Sequence, residues 1–139
     1  MEKYKFLEHT ADEKFQAYGK TLEEAFANAA LATMAIMTED KIKSTKEESF
    51  QIEAKSKEQI LYSFLEHLLF LIDTESYLVS EVTSIKLKGE EGKYTLEVTT
   101  KGDSAESYEI LAHIKAVTYH EMFIKEGENK VTVQVVLDL

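Results

Sequence analysis

The sequence predicts an α+β fold in which helices are layered on a mainly antiparallel sheet. Two segments carry apolar residues at the spacing of a helix face, and each begins with a typical capping pair. Eight other segments favour β-strands and are separated by turn residues, among them Gly89, Gly92 and Gly127. The 139 residues include no proline and no repeat or linker, so we predict a single domain spanning residues 1–139.

The first part of the chain favours two short strands followed by a helix. Residues 3–8 and 14–18 are the predicted strands, with a loop at 9–12 between them. Thr21 has the character of an N-cap, and Glu24 three positions later completes a capping box. Apolar residues then recur at helical spacing from Leu22 to Met37, which predicts a helix whose buried face belongs to the core rather than to a cofactor pocket.

The second helix and the remaining strands follow a charged segment. Residues 39–48 are predicted to be a loop, residues 49–54 a strand, and Ser56 with Gln59 a second capping box. This box opens a helix that extends to about Asp73. Five further strands are predicted, at residues 77–88, 93–101, 109–119, 121–125 and 130–138.

Composition limits the function classes that need to be considered. The net charge is −10 and the chain contains no arginine, so it would repel a nucleic-acid backbone at long range, and a basic protein is the favoured partner. The alternative interpretation is that the acidic surface only aids solubility. The absence of cysteine excludes disulfides and thiolate metal sites. Neither a secretory leader nor a membrane-spanning run is present, so a cytoplasmic location is expected.

Three segments contain charged and titratable side chains that a purely structural strand or loop does not require. They are Glu8–Asp12, Ile114–His120 and Val136–Leu139, and together with Tyr18–Phe26 and Leu68–Glu75 they resemble the archease family. The five segments occur in the family's order along nearly the whole chain. The resemblance implies a two-layer fold built on a strand-helix-strand-strand module with an added three-strand element.

Two aspartates are candidates for a divalent-cation site. Judged from the residues alone, Asp12 is equally well explained as a turn or capping residue, and Asp138 as a solvated residue near the terminus. Hard cations prefer carboxylate and carbonyl oxygens. The resemblance places Asp12, Asp138 and Leu139 with its terminal carboxylate on the family's metal-binding positions. It implies a divalent cation, Ca²⁺ in the first place, with Mg²⁺ or Mn²⁺ as alternatives, and Glu13 could add an oxygen ligand.

Lys115 and two histidines complete the candidate residues. Lys115 alone would be read as an outward-facing strand lysine, but the resemblance associates it with function. His9 and His120 could each orient a carboxylate ligand by hydrogen bonding, or could equally satisfy local backbone groups. No catalytic signature is present in the sequence.

The resemblance implies a protein without turnover of its own, acting as an activator of an RtcB-type RNA ligase of tRNA splicing and RNA repair. It would promote guanylylation of the ligase and contact tRNA only indirectly. An alternative is a chaperone-like modulator of an RNA-modifying enzyme such as a tRNA cytosine-5 methyltransferase. A third hypothesis, a metal-dependent hydrolase, lacks a general-base signature. The chain departs from the family pattern in its short 102–108 segment and in Glu13-Lys14.

Overall fold

The computed structural model describes residues 1–8 and 12–139 of the chain. Its elements, in chain order, are β1 (Tyr4–Leu7), β2 (Glu13–Gly19), α1 (Leu22–Met37), β3 (Lys46–Ala54), α2 (Lys57–Glu75), β4 (Tyr77–Glu90), β5 (Lys93–Ser104), a 3₁₀ turn (Ala105–Ser107), β6 (Ala116–Val117), β7 (Phe123–Glu126) and β8 (Val131–Asp138). The predicted α+β class with two helices is confirmed. Neither helix is long and apolar enough to cross a membrane.

The strands form two antiparallel sheets. The larger sheet has the order β1-β2-β8-β6, and β7 pairs with β8 as well. β2 follows β8 along seven residue pairs, whereas β6 and β7 share the other edge of β8. The smaller sheet has the order β3-β5-β4. β8 is therefore the central strand of the larger sheet, with β2 on one edge and with β6 and β7 on the other.

Both helices begin where the capping patterns predict. The Glu24 amide donates to Thr21 Oγ1 at 3.1 Å, and the Gln59 amide donates to Ser56 Oγ at 3.1 Å. The return bond differs from that of a standard capping box, because the Glu24 carboxylate accepts from the amide of Lys20, one residue before the cap. Gln59 does the same for the residue before Ser56.

The core lies between the helices and the two sheets. α1 contacts β2 and β8 of the larger sheet and β4 of the smaller one, and α2 contacts all three strands of the smaller sheet as well as β6. Large side chains without solvent exposure come from both helices and both sheets, among them Phe15, Phe26, Phe64, Leu96 and Leu137. Burial of this apolar surface joins the sheets through the helices.

The prediction of a strand over residues 109–119 is wrong, since only Ala116 and Val117 pair with a neighbouring strand. The chain before them still alternates between exposed and partly buried residues. Its backbone bonds lead elsewhere: the Leu111 amide donates to the Met37 carbonyl at 2.7 Å, and the Glu109 amide donates to an Asp40 carboxylate oxygen at 3.4 Å. Residues 109–111 are thus anchored to the end of α1 rather than to a sheet, whereas the Lys115 amide donates to the Asp138 carbonyl of β8.

A second difference concerns the charged segment after α1. β3 begins at Lys46 rather than at Ser49, and Glu47 and Glu48 pair with Lys101 and Thr100 of β5. Charged residues are compatible with a strand here because alternate side chains of β3 point to solvent. The predicted loop is correspondingly shorter.

Candidate functional site

The sheet register brings the two candidate aspartates to the same end of neighbouring strands. Glu13, the first residue of β2, lies opposite Leu137 of β8. Asp12 directly precedes β2 and Asp138 directly follows Leu137, so the two aspartates flank the last residue pair of this register, and one further step of pairing would set them opposite each other. Directly opposite residues of an antiparallel pair have Cβ atoms about 4.5–5.5 Å apart. That spacing lets two carboxylates share one cation.

Alternation along the strands assigns these residues to the face that the helices do not cover. Phe15, Val135 and Leu137 are fully buried on the helix-covered face of the larger sheet. Because successive side chains alternate between faces, Asp12 and Asp138 belong to the outer face and Glu13 to the inner one. Glu13 and Asp138 therefore lie on opposite faces of the larger sheet. Asp138 is exposed and Asp12 is partly buried.

Lys115 lies beside Asp138 on the other edge of β8. Ala116 is the direct partner of Asp138, and the Lys115 amide donates to the Asp138 carbonyl at 2.8 Å. This bond is displaced by one residue from the register of β6, so the regular ladder ends at Ala116. The Lys115 side chain is exposed at this end. Three positions far apart in the sequence, 12, 115 and 138, thus meet at one end of the larger sheet, here termed the acidic end.

Two residues that the sequence reasoning did not select flank the acidic end. Lys14 follows Asp12 on the same outer face, and its Nζ lies 3.3 Å from Glu121 Oε1. Glu121 Oε2 is in turn 3.3 Å from His120 Nε2. The pattern offered one usable signal for Lys14, its i, i+2 spacing from Asp12, whereas nothing marked Glu121.

The turn that carries His120 and Glu121 is fixed to β8. The Thr118 hydroxyl donates to the Val136 carbonyl at 2.8 Å, and the His120 amide donates to Thr118 Oγ1 at 3.3 Å. Glu121 has a φ of 53°, in the left-handed region, and its carbonyl accepts a bond from Gln134 Nε2 at 2.9 Å. A strained residue tied down in this way has a defined orientation.

The donor set at the acidic end fits a hard cation. The carboxylates of Asp12 and Asp138 offer oxygen ligands, the type that Ca²⁺ and Mg²⁺ prefer. Within residues 1–8 and 12–139, no three His, Cys, Asp or Glu side chains gather into a metal-binding group. The predicted set needs only two such side chains, since its third member is Leu139. His9, the other predicted orienting residue, lies outside the described residues.

Comparison with known proteins identifies relatives along the whole chain. The sequence model of the archease protein family matches residues 4–139. Protein archease of Methanosarcina mazei is 34% identical over 140 residues, covering 99% of this chain and 96% of that protein. Protein archease of Methanothermobacter thermautotrophicus is 36% identical, with full coverage of both chains.

Two solved structures have similar folds. The solution structure of Methanobacterium thermoautotrophicum protein 1598 covers 100% of both chains, with a TM-score of 0.84 and 33% identity. The crystal structure of an archease from Thermotoga maritima, described as a possible chaperone, covers 96% of this chain and 94% of its own, with a TM-score of 0.63. At 21% identity the latter shows similarity of fold alone.

Proposed function

The chain belongs to the archease family, and from that premise we propose that it is a non-enzymatic activator of an RtcB-type RNA ligase. It would promote guanylylation of the ligase and so allow multiple turnover. The observation that carries the proposal is the acidic end, where Asp12, Asp138 and Lys115 meet on three adjacent stretches of the larger sheet. Such a convergence of charged groups has no evident role in holding the fold together.

The charges of the chain favour a protein as the immediate partner. With a net charge of −10 and no arginine, the surface is suited to a basic cleft of a ligase rather than to the RNA itself. Opposite charges would speed the encounter and orient the acidic end towards the cleft. At the acidic end, contact with tRNA then passes through the ligase.

Each residue of the acidic end has a distinct role in this proposal. Asp12, Asp138 and Leu139 would hold a divalent cation, which when bound supplies positive charge for a transferring nucleotidyl group. Lys115 would place an ammonium group next to that position, where it can pair with a ligase carboxylate or a nucleotide phosphate. The Lys14–Glu121 pair would hold the neighbouring outer face in a fixed arrangement. Fixed groups need no reorganisation when charge develops in the partner site.

Multiple-turnover ligation by an RtcB-type ligase, with GTP and a divalent metal, tests the proposal. We expect the wild-type chain to stimulate ligation and the variants Asp12→Ala, Asp138→Ala and Lys115→Ala to lose that stimulation. Matched controls are Asp73→Ala and Lys101→Ala, which alter exposed residues of α2 and β5 and should retain full stimulation.

The outcomes separate the alternatives. Stimulation by wild type that survives all three changes would keep the partner and reject the acidic end as the functional site. No stimulation by wild type would reject the ligase proposal and favour a modulator of a tRNA methyltransferase.

A further inference from the structure

A second candidate site is a cleft between α2, the smaller sheet and the segment that follows β6. The cleft has a volume of about 550 Å³. Its walls include Tyr62 of α2, Lys55 at the end of β3, Lys93 at the start of β5, and Tyr119. None of the residues at the acidic end lines it. It is here called the tyrosine cleft.

A pair of stacked tyrosines forms one side of the tyrosine cleft. The rings of Tyr62 and Tyr119 are nearly parallel, with an interplanar angle of 8° and centroids 4.3 Å apart. Tyr119 uses one ring face in this stack and is still 51% exposed, which leaves its other face open to solvent. An exposed aromatic face of fixed orientation is what a planar ligand needs for stacking. Tyr62 thus serves as a support that orients the Tyr119 ring.

The tyrosine cleft also contains two lysines, Lys55 and Lys93. Lys55 and Lys93 are both exposed, and within residues 1–8 and 12–139 neither forms a salt bridge. The nearby Lys57 differs, since its Nζ lies 2.7 Å from Glu126 Oε2. Glu53 is the acidic residue that lines the cleft. Lys55 and Lys93 thus supply two positive charges that no salt bridge among the described residues offsets, on a chain that is strongly acidic.

The charge is distributed unevenly within the tyrosine cleft. Burial of the Tyr119 hydroxyl, together with the neighbouring Tyr62 and the Glu66 carboxylate, raises the pKa of Tyr119. The phenol is therefore neutral at pH 7 and able to donate a hydrogen bond. An anionic group is favoured at the lysine side, and a neutral planar group at the tyrosine side.

We propose that the tyrosine cleft binds a nucleobase that carries a phosphate group. The base would stack on the free face of Tyr119, and the phosphate would contact Lys55 and Lys93. Stacking of bases on aromatic side chains tolerates any base, so the structure favours no particular nucleotide. The ligand can come from two sources, a free mononucleotide or single-stranded RNA.

NMR titration of the full chain with 5′-mononucleotides tests the site, with chemical shifts of the Gly92, Lys93 and Tyr119 amides as the readout. Tyr119→Ala should weaken binding about fivefold or more, because loss of one base–aromatic stack corresponds to a factor of about 5 to 150. Tyr119→Phe keeps the ring and should bind like wild type. Lys93→Ala should weaken binding and flatten its salt dependence, whereas Lys88→Ala, which removes a lysine paired with Glu97, should not.

Three parallel titrations identify the ligand. The Kd values of a tetranucleotide and of a mononucleotide show whether single-stranded RNA or a free nucleotide binds more tightly. Binding of either ligand supports the site. Equal shifts produced by inorganic phosphate alone would overturn the nucleobase part of the proposal. The whole proposal would be overturned if these amides did not shift at about 10 mM nucleotide, where sites of millimolar Kd are largely saturated, or if Tyr119→Ala bound as tightly as wild type.

Discussion

Leu137 and Asp138 are adjacent in β8 but should respond oppositely to truncation. Leu137 has no solvent exposure and lies between Glu13 of β2 and Val117 of β6, whereas Asp138 is exposed. Leu137→Ala removes core packing beneath the acidic end, and Asp138→Ala removes a carboxylate from it. We expect Leu137→Ala to lower the stability of the fold while leaving the groups of the acidic end in place. Asp138→Ala should instead leave the stability nearly unchanged and remove a carboxylate from the acidic end.

The size of the effect follows from the atoms removed. Leu137→Ala deletes three carbon atoms from a fully buried site, and at about 0.8 kcal/mol per CH₂ the lost transfer free energy is about 2.5 kcal/mol. The cavity left behind adds to this, giving about 3–4 kcal/mol in total. With an unfolding entropy of about 2.1 cal/mol/K per residue, a 139-residue chain would then melt about 12 °C lower.

Urea denaturation and thermal melting of the two variants measure this difference. Asp138→Ala should unfold within about 0.5 kcal/mol of wild type, as expected for an exposed side chain. A loss below about 1 kcal/mol for Leu137→Ala, with an unchanged denaturant slope, would refute the assignment of Leu137 to a well-packed core. A large loss for Asp138→Ala would show that this aspartate is structural.

Three further predictions concern buried polar groups, pH and metal. The Tyr77 hydroxyl and Thr100 Oγ1 lie 2.7 Å apart in a buried bond, so Tyr77→Phe and Thr100→Val should each lower the free energy of unfolding by about 1–3 kcal/mol, and the double variant by less than the sum. Burial lowers the pKa of His67 below the usual histidine value of 6.5. The native state thus resists protonation, and the stability that His67 contributes above pH 6.5 should decline as the pH falls through its lower native pKa, a dependence that His67→Phe should lack. Calorimetric titration should show that Ca²⁺ binds to the wild type and that Asp12→Asn and Asp138→Asn each weaken this binding about tenfold or more. Loss of a residue that only hydrogen-bonds to a metal ligand already lowers metal affinity by about that factor, so loss of a ligand should lower it at least as much.

Each of these predictions has a contrary outcome. Additive losses in the double variant would mean that the two hydroxyl groups do not depend on each other. Equal acid sensitivity of wild type and His67→Phe, compared by urea denaturation between pH 5 and 7.5, would exclude His67 as a source of the pH dependence. Calcium binding that survives both asparagine substitutions would place the cation elsewhere.

The sequence predicted helices more accurately than strands because a helix is specified locally. Thr21 and Ser56 mark the helix starts through bonds to residues three positions away. Strand pairing depends on distant residues instead. Segment 109–115 has the alternation of a strand, but its Leu111 amide bonds to the end of α1 and its Leu111 side chain is 53% exposed. Alternation of apolar and polar residues indicates which face of an extended chain is buried. It does not indicate whether the backbone pairs with another strand.

The candidate site shows the same division. Asp12, Lys115 and Asp138 were recognised through a family resemblance, and spacing along the chain alone could not have joined positions 12 and 138. Only the β2–β8 register brings them to one end of the sheet. The sequence did not indicate Glu121, because its contact with Lys14 depends on a turn in which Glu121 has a positive φ. No local pattern in the sequence encodes that contact.

The guanylylation step itself tests the central claim most directly. Transfer of labelled GMP from GTP to the ligase histidine would be followed with divalent metal, in the absence and presence of the wild-type chain or Lys115→Ala. We predict that wild type accelerates label transfer and that Lys115→Ala, although folded, does not. An unchanged rate of label transfer with wild type present would contradict the proposal that this protein activates the ligase.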